Sequence, residues 1–246
     1  MIRTTWVRWA AIALTVVLLG VAPAQAQSVT LDLGQDGGIT ERVVQMIALL
    51  TILSLAPSVL IMATSFVRII VVLSLLRTAL GLQQSPPNAV LISLSLFLTA
   101  FIMFPVFERA FEEGVEPLLA GEVETVDGFL QAAGPFKTFM MAEAREEDIL
   151  LFVDLAEGPR PESAEDVPLH VIAPAFMISE LKRAFEIGFL LFIPFLVIDL
   201  VVASILMSMG MMMLPPVIIS LPFKLIFFVL VDGWRLVAGS LIQSFS

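Results

Sequence analysis

Cysteine is absent from this 246-residue chain, and histidine occurs once, at His170. The first absence excludes disulfides, iron–sulfur clusters and thiolate zinc sites. The second excludes any His–His metal site and leaves little for acid–base chemistry at neutral pH. No G-x-x-x-x-G-K-[ST] phosphate loop and no H-E-x-x-H pair occurs. A Ser–His hydrolase would have to use His170, which sits at the edge of a polar segment and reads as structural or solvated. No enzyme, cofactor or metal is therefore expected. Charge is scarce as well: 15% of residues are charged and 59% hydrophobic, with a mean hydropathy of +0.99. A soluble domain carries about 25% charged residues, so lipid or other apolar protein must cover most of this surface. The composition is that of a membrane protein.

The charges that remain are unevenly placed. Between Pro105 and His170 stand 16 acids against 4 bases, out of chain totals of 23 and 13. The apolar parts are slightly basic by difference, and no basic stripe for nucleic acid exists. The carboxylates Glu143, Glu146, Glu147 and Asp148 lack the glycine-containing spacing of a calcium loop. They read as a solvated helix face.

At the amino terminus, Arg3 and Arg8 precede an uncharged run from about Ala10 to Ala22, followed by Pro23-Ala24-Gln25-Ala26. That is the order of a secretory signal peptide, with Ala24 and Ala26 at the small positions of a cleavage site after Ala26. The apolar core is shorter than the roughly 20 residues needed to span a bilayer, which favours cleavage over an uncleaved anchor. The mature amino terminus then lies outside the cytoplasm.

Beyond it the chain predicts an all-α protein of membrane-associated helical hairpins broken by prolines, around a central polar, acidic helical segment. Residues 1–26 are the signal peptide and 27–41 a polar segment. Residues 42–107 form a first apolar hairpin, interrupted by Pro57, with Arg68, Arg77 and the Leu82–Asn88 stretch LQQSPPN at its tip. Residues 108–173 form the acidic, non-cytoplasmic segment, with loops at Gly114, Pro117, Gly121 and Gly134-Pro135, and helices at 125–133 and 136–148. Residues 174–246 form a second hairpin, beginning at Pro174 and turning at a methionine-rich stretch. An external amino terminus puts Arg68 and Arg77 in the cytoplasm, as the positive-inside rule prefers. Arg42, Lys182 and Arg183 then fall on the outer side against it.

Three features invite a functional reading. Asp199 lies between Ile198 and Leu200 in an apolar run, and a carboxylate there needs a partner or a polar cavity. Proton coupling is one reading and an interhelical pair that fixes assembly is the other; no second acid in the run forms a relay, which favours assembly. Arg68 has the same ambiguity, because a long arginine can reach the interface without a partner. Met207, Met209, Met211, Met212 and Met213 cluster around Gly210 and before Pro215-Pro216. A single methionine in an apolar helix is filler. Here proline ends the helix, so the thioethers belong to a turn, where deformable apolar groups could line or seal an opening.

SFVRIIVVLSLLRTALGLQQSPPN at 65–88, PAFMISELKRAFEIGF at 174–189, PFLVIDLVVASILMSMGMMMLPP at 194–216 and PFKLIFFVLVDGW at 222–234 strongly resemble the FliP family. This is the flagellar relative of a core component of virulence type III secretion systems, and the resemblance covers about residues 40–235. It implies a pore-forming subunit of the flagellar type III protein-export gate, in the inner membrane at the basal body. It implies a homo-pentamer assembled with FliQ and FliR, with FlhB associated, that passes unfolded flagellar substrates. It also implies that Met209, Met211, Met212 and Met213 form a gasket that closes the channel at rest. The acidic stretch 143–166 finds no counterpart residue by residue. A proton- or ion-coupled secondary transporter is the rival reading, supported by Asp199 and the broken helices; it would require internal repeats, and none is visible beyond the shared Pro-Pro tips.

Overall fold

The architecture comes from a computed structural model that describes residues 61–156, 160, 161, 163, 166–211 and 213–245, together with Val43, Val44, Met46, Ile47, Leu50, Thr51 and Ser54. The chain divides into two compact units, Met1–Ile52 and Leu53–Ser246. In the first unit the described residues are helical and largely exposed. Ala24, Ala26 and Pro57 lie outside the described residues. All else below concerns the second unit, which is all-α, with no strand among the described residues.

The centre of this unit is α1, Phe66–Ala79. Ile69, Val72, Leu73, Leu76 and Ala79 recur at three-and-four spacing and are all but fully buried. Its carboxyl end closes as a Schellman turn: Leu82 N–H donates to Arg77 O at 3.1 Å and Gly81 N–H to Thr78 O at 2.9 Å, with Gly81 at φ +77°. Arg77 Nη1 then donates to Asn88 Oδ1 at 2.6 Å and Pro86 O at 3.3 Å, pinning the Gln-Gln-Ser-Pro-Pro turn to the helix before it.

From that turn α2, Asn88–Ala110, runs into a π-helical turn at Phe111–Val115 and then α3, Glu116–Ala120. Together they make a continuous run of 33 residues whose apolar part is long enough to cross a membrane. The loops expected at Gly114 and Pro117 are thus overturned, and the helical run passes the expected end of the first hairpin at 107. Pro117 falls in the first turn of α3, where its missing N–H costs little. Gly114 is needed for close approach instead, since a Cβ there would lie 2.4 Å from the backbone N of Ala132. The run ends at Gly121, as expected, with φ +74°.

The acidic segment folds as α4, Thr125–Glu143, and α5, Glu146–Leu155. A break had been expected at Gly134-Pro135, but α4 continues through Pro135 and the chain turns at Ala144-Arg145. Both of those residues are extended, with ψ of 141° and 138°. The turn is fixed by a tertiary contact, since Arg145 N–H donates to Ser179 Oγ at 2.9 Å.

Helix α6, Leu169–Ser208, spans 40 residues. At 1.5 Å per residue that is about 60 Å, roughly twice the hydrocarbon thickness. It starts one turn before Pro174, where it was expected to start, because Val171 and Ile172 already pack with Met140 and Val167 in a small core of the acidic segment. The mixed-surface half of α6 therefore belongs to that segment, and the apolar half packs on α1. The two helices meet closely at Gly188, where a Cβ would lie 2.3 Å from Leu75 Cδ1. After the methionine turn come α7, Pro216–Leu230, and α8, Gly233–Gln243, bent by 63° about Asp232, which takes φ +51°. The outward faces of α6 and α7 stay apolar, with Phe189 68%, Leu200 60% and Leu230 80% exposed. Lipid or further protein must cover them.

Candidate functional site

Arg68 stands on α1 among apolar neighbours, with none of its side chain exposed. It is enclosed within the fold near the start of α1 and does not lie at the hairpin tip. Its Nε donates to Glu180 Oε2 at 2.9 Å, and Nη2 donates to Glu180 Oε1 and, at 2.7 Å, to Glu143 Oε2. Nη1 donates to the main-chain oxygen of Ser244 at 2.8 Å and to its Oγ at 3.1 Å. All the N–H groups of the guanidinium fork are thereby satisfied. Arg183 Nη1 closes the group by donating to the same Glu143 oxygen at 2.7 Å. Two cations and two carboxylates thus tie α1, α4, α6 and the carboxyl-terminal end into one neutral cluster. The fork-on-carboxylate arrangement at Glu180 is the strong form of such a pair.

Asp199 is also paired. Its Oδ2 accepts from Lys224 Nζ at 2.6 Å, and its Oδ1 accepts from Ser220 Oγ at 2.5 Å. Lys224 is almost wholly enclosed, its side chain 4% exposed against 33% for Asp199. The ammonium also donates to Ala79 O at 3.2 Å, an otherwise open carbonyl at the end of α1 and a favourable place for a cation. This pair sits below the methionine turn and holds α7 to both α6 and α1.

A third polar contact docks α5 on α6. Asp148 accepts from Ser179 Oγ at 2.5 Å and from Arg145 Nε at 2.9 Å. The solvated face expected here is therefore half right: Glu146 and Glu147 are exposed, whereas Glu143 and Asp148 are turned inward. Burial alone would push the Asp148 carboxyl up. The Ser179 hydroxyl and the Arg145 guanidinium outweigh it and hold the group below its ordinary 3.8. Because the folded-state value lies below the unfolded one, this stabilisation is complete above 3.8 and fades as pH falls through the folded-state value. Ser179→Ala should cost about 1.5–3 kcal/mol at neutral pH, the range for a hydrogen bond to a charged group. Thermal unfolding of the solubilised protein from pH 7 to pH 3 measures it. The gap between wild type and variant should narrow below about pH 4; a gap of constant size would contradict the assignment.

At the methionine turn α6 ends in a second Schellman closure. Met211 N–H donates to Leu206 O at 3.0 Å and Gly210 N–H to Met207 O at 3.1 Å, with Gly210 at φ +75°. Pro215 and Pro216 start α7 at once. At this short link Met209 is 63% and Met213 98% exposed, and Met211 is half-buried. Met212 lies outside the described residues. Of the expected site residues, then, Arg68 occupies a buried ion-pair cluster and Asp199 a separate, partly exposed pair with Lys224, and the methionines form a distinct apolar tip. His170 is exposed at the start of α6. No group of three or more metal-ligating side chains occurs among the described residues. Sequence reasoning missed Glu180, Glu143 and Lys224. The last had a signal, being the first charge after Asp199 in the apolar run.

The FliP family profile matches residues 49–241. A protein of Caulobacter vibrioides named flagellar biosynthetic protein FliP is 67% identical over 225 residues, covering 91% of this chain and 85% of that protein. Its namesake in Bacillus subtilis is 54% identical over 202 residues, covering 82% and 91%. That of Rhizobium meliloti is 48% identical over 229 residues, covering 92% and 94%.

Proposed function

The chain belongs to the FliP family, and from that premise we propose that it is a pore-forming subunit of the flagellar type III protein-export gate. A role in flagellar biosynthesis and a place in a membrane rest on the named relatives and on helices long and apolar enough to cross a bilayer. The finer reading puts several copies around a channel in the inner membrane at the basal body. FliQ and FliR pack on the exposed apolar faces of α6 and α7, FlhB is associated, and unfolded flagellar subunits pass through. The acidic segment lies outside the cytoplasm, reached by a chain whose signal peptide has been removed after Ala26. The chain catalyses nothing, and the energy for export comes from elsewhere.

The observation that carries this reading is the exposed methionine tip. Unbranched thioethers with three rotatable bonds adapt to nothing or to a passing polypeptide. A ring of such turns resists ions by dewetting, without a charged gate. The pairing of Asp199 with Lys224 supports an assembly role for that carboxylate and weakens the transporter alternative, because the carboxylate is matched by a cation. Replacing Met211, Met212 and Met213 together by Ala should leave the complex assembled but leaking small ions. Replacement by Leu should seal better and pass substrates less easily. Inner-membrane permeability and secretion of filament subunits, measured together, test this. A tight, normally secreting Ala variant would reduce these methionines to filler.

A further inference from the structure

Glu180 and Glu143 occupy one side of the Arg68 guanidinium, and the remaining donors and the flat face are covered from the carboxyl-terminal end. Nη1 has both its acceptors on Ser244, the main-chain oxygen at 2.8 Å and Oγ at 3.1 Å. The ring of Phe245 lies over the guanidinium carbon, 3.6 Å from it to the ring centroid. The same ring stacks on Phe139 of α4, centroids 6.2 Å apart at 24°. Without these two residues Nη1 would lose both its acceptors and the guanidinium face its cover. They follow directly on α8, whose buried Val237 and Leu241 belong to the apolar core around α1. The residues at and just past a helix end open at lower cost in free energy than such a core.

We propose that Ser244–Phe245 is a latch. When α8 docks, the latch closes the Arg68 centre, and through Phe139 and Glu143 it locks the acidic segment onto the membrane helices. Released, it exposes Nη1 and frees α4 from one of its two ties to Arg68, leaving Glu143 as the other. The latch uses the planar face of arginine and the π-face of the ring, an attraction that strengthens when both are desolvated.

The cysteine-free chain makes the test direct. Ser244→Cys puts a thiol where the hydroxyl faces Arg68, and its rate of reaction with a maleimide in native membranes reads latch opening. Adding Phe245→Ala should raise that rate about tenfold, equivalent to about 1.4 kcal/mol lost from closure. Phe245→Leu, which keeps apolar volume but drops the ring and is the milder variant if Phe245→Ala does not accumulate, should raise it about threefold. In a background where Arg68→Met and Glu180→Gln remove the ion pair together, the Phe245→Ala effect should shrink to about twofold or less. An unchanged rate on removing the ring overturns the latch. So does a full tenfold effect that persists in the neutral background, because the ring would then act only by packing on Phe139.

Discussion

Arg68→Leu is expected to remove the folded chain from the membrane, leaving less than about a hundredth of the wild-type amount. The substitution takes away the buried cation that pairs with Glu180, whose side chain has no exposure. Removing one partner of such a pair leaves an uncompensated buried charge and costs about 3–5 kcal/mol. That is a large share of the total stability of a domain, about 5–15 kcal/mol. It also frees Glu143, so that the acidic segment keeps only Arg183 as its ionic tie to α6 in this cluster. Arg68→Lys should do nearly as badly, because an ammonium cannot reach two carboxylates and the Ser244 carbonyl with a planar fork. Arg68→Met with Glu180→Gln should recover much of the loss, since the double change leaves no bare charge. Membrane-fraction immunoblots of the four proteins decide the matter. Equal amounts of the single and double variants would show that pairing is not what the chain depends on.

Asp199→Ala should reduce the yield of assembled complex about tenfold or more and abolish motility. Here the exposed partner is lost and the enclosed one is stranded: Lys224, its side chain 4% exposed, would keep only the Ala79 carbonyl. With Asp199 a third open to its surroundings, the cost belongs at the lower end of the buried-pair range, about 3 kcal/mol. Asp199→Asn is the informative companion. It keeps an oxygen for Ser220 and Lys224 but cannot carry a proton on and off. Assembly and secretion retained in part by Asn, together with rescue of Asp199→Ala by Lys224→Met, identify a structural pair. Normal assembly with lost secretion in both single variants would instead make Asp199 a proton-handling group.

What could be read from the residues, and what could not, follows from how far apart the interacting groups lie. Apolar run lengths and the Pro-Pro motifs are local, so the turn before Asn88 and the one at Gly210–Pro216 stand where the sequence puts them. The need of Asp199 for a partner was also visible, because the cost of a bare carboxylate in an apolar run is independent of fold. The partner itself was not, since an i to i+25 pairing depends on how α6 and α7 turn back on each other. Arg68 and Glu180 are 112 residues apart, and Glu143 and Arg183 are 40 apart. No periodicity carries that information. Glu143 and Asp148 were misread for a related reason: they share a short stretch with Glu146 and Glu147, which are exposed, and only the contact with α6 separates the two pairs. Gly114, Pro117 and Pro135 read as loops by residue type. Pro117 is tolerated because the first turn of a helix lacks N–H partners anyway, and Gly114 because close helix contact selects glycine; α4 simply continues through Pro135.

A gate of the proposed kind brings the methionine turns of several copies together on one axis, and Met213, 98% exposed at the tip, is the residue with which to test it. Met213→Cys introduces the only thiol in the chain. Membranes carrying the intact export apparatus should be treated with an oxidant and with a short bis-maleimide, and the chain followed on non-reducing gels. Convergent turns give a cross-linked dimer of the chain, with the oxidant-formed link reversed by reductant. A chain that stays monomeric under both reagents, in membranes where the complex is assembled, would contradict a channel closed by these methionines.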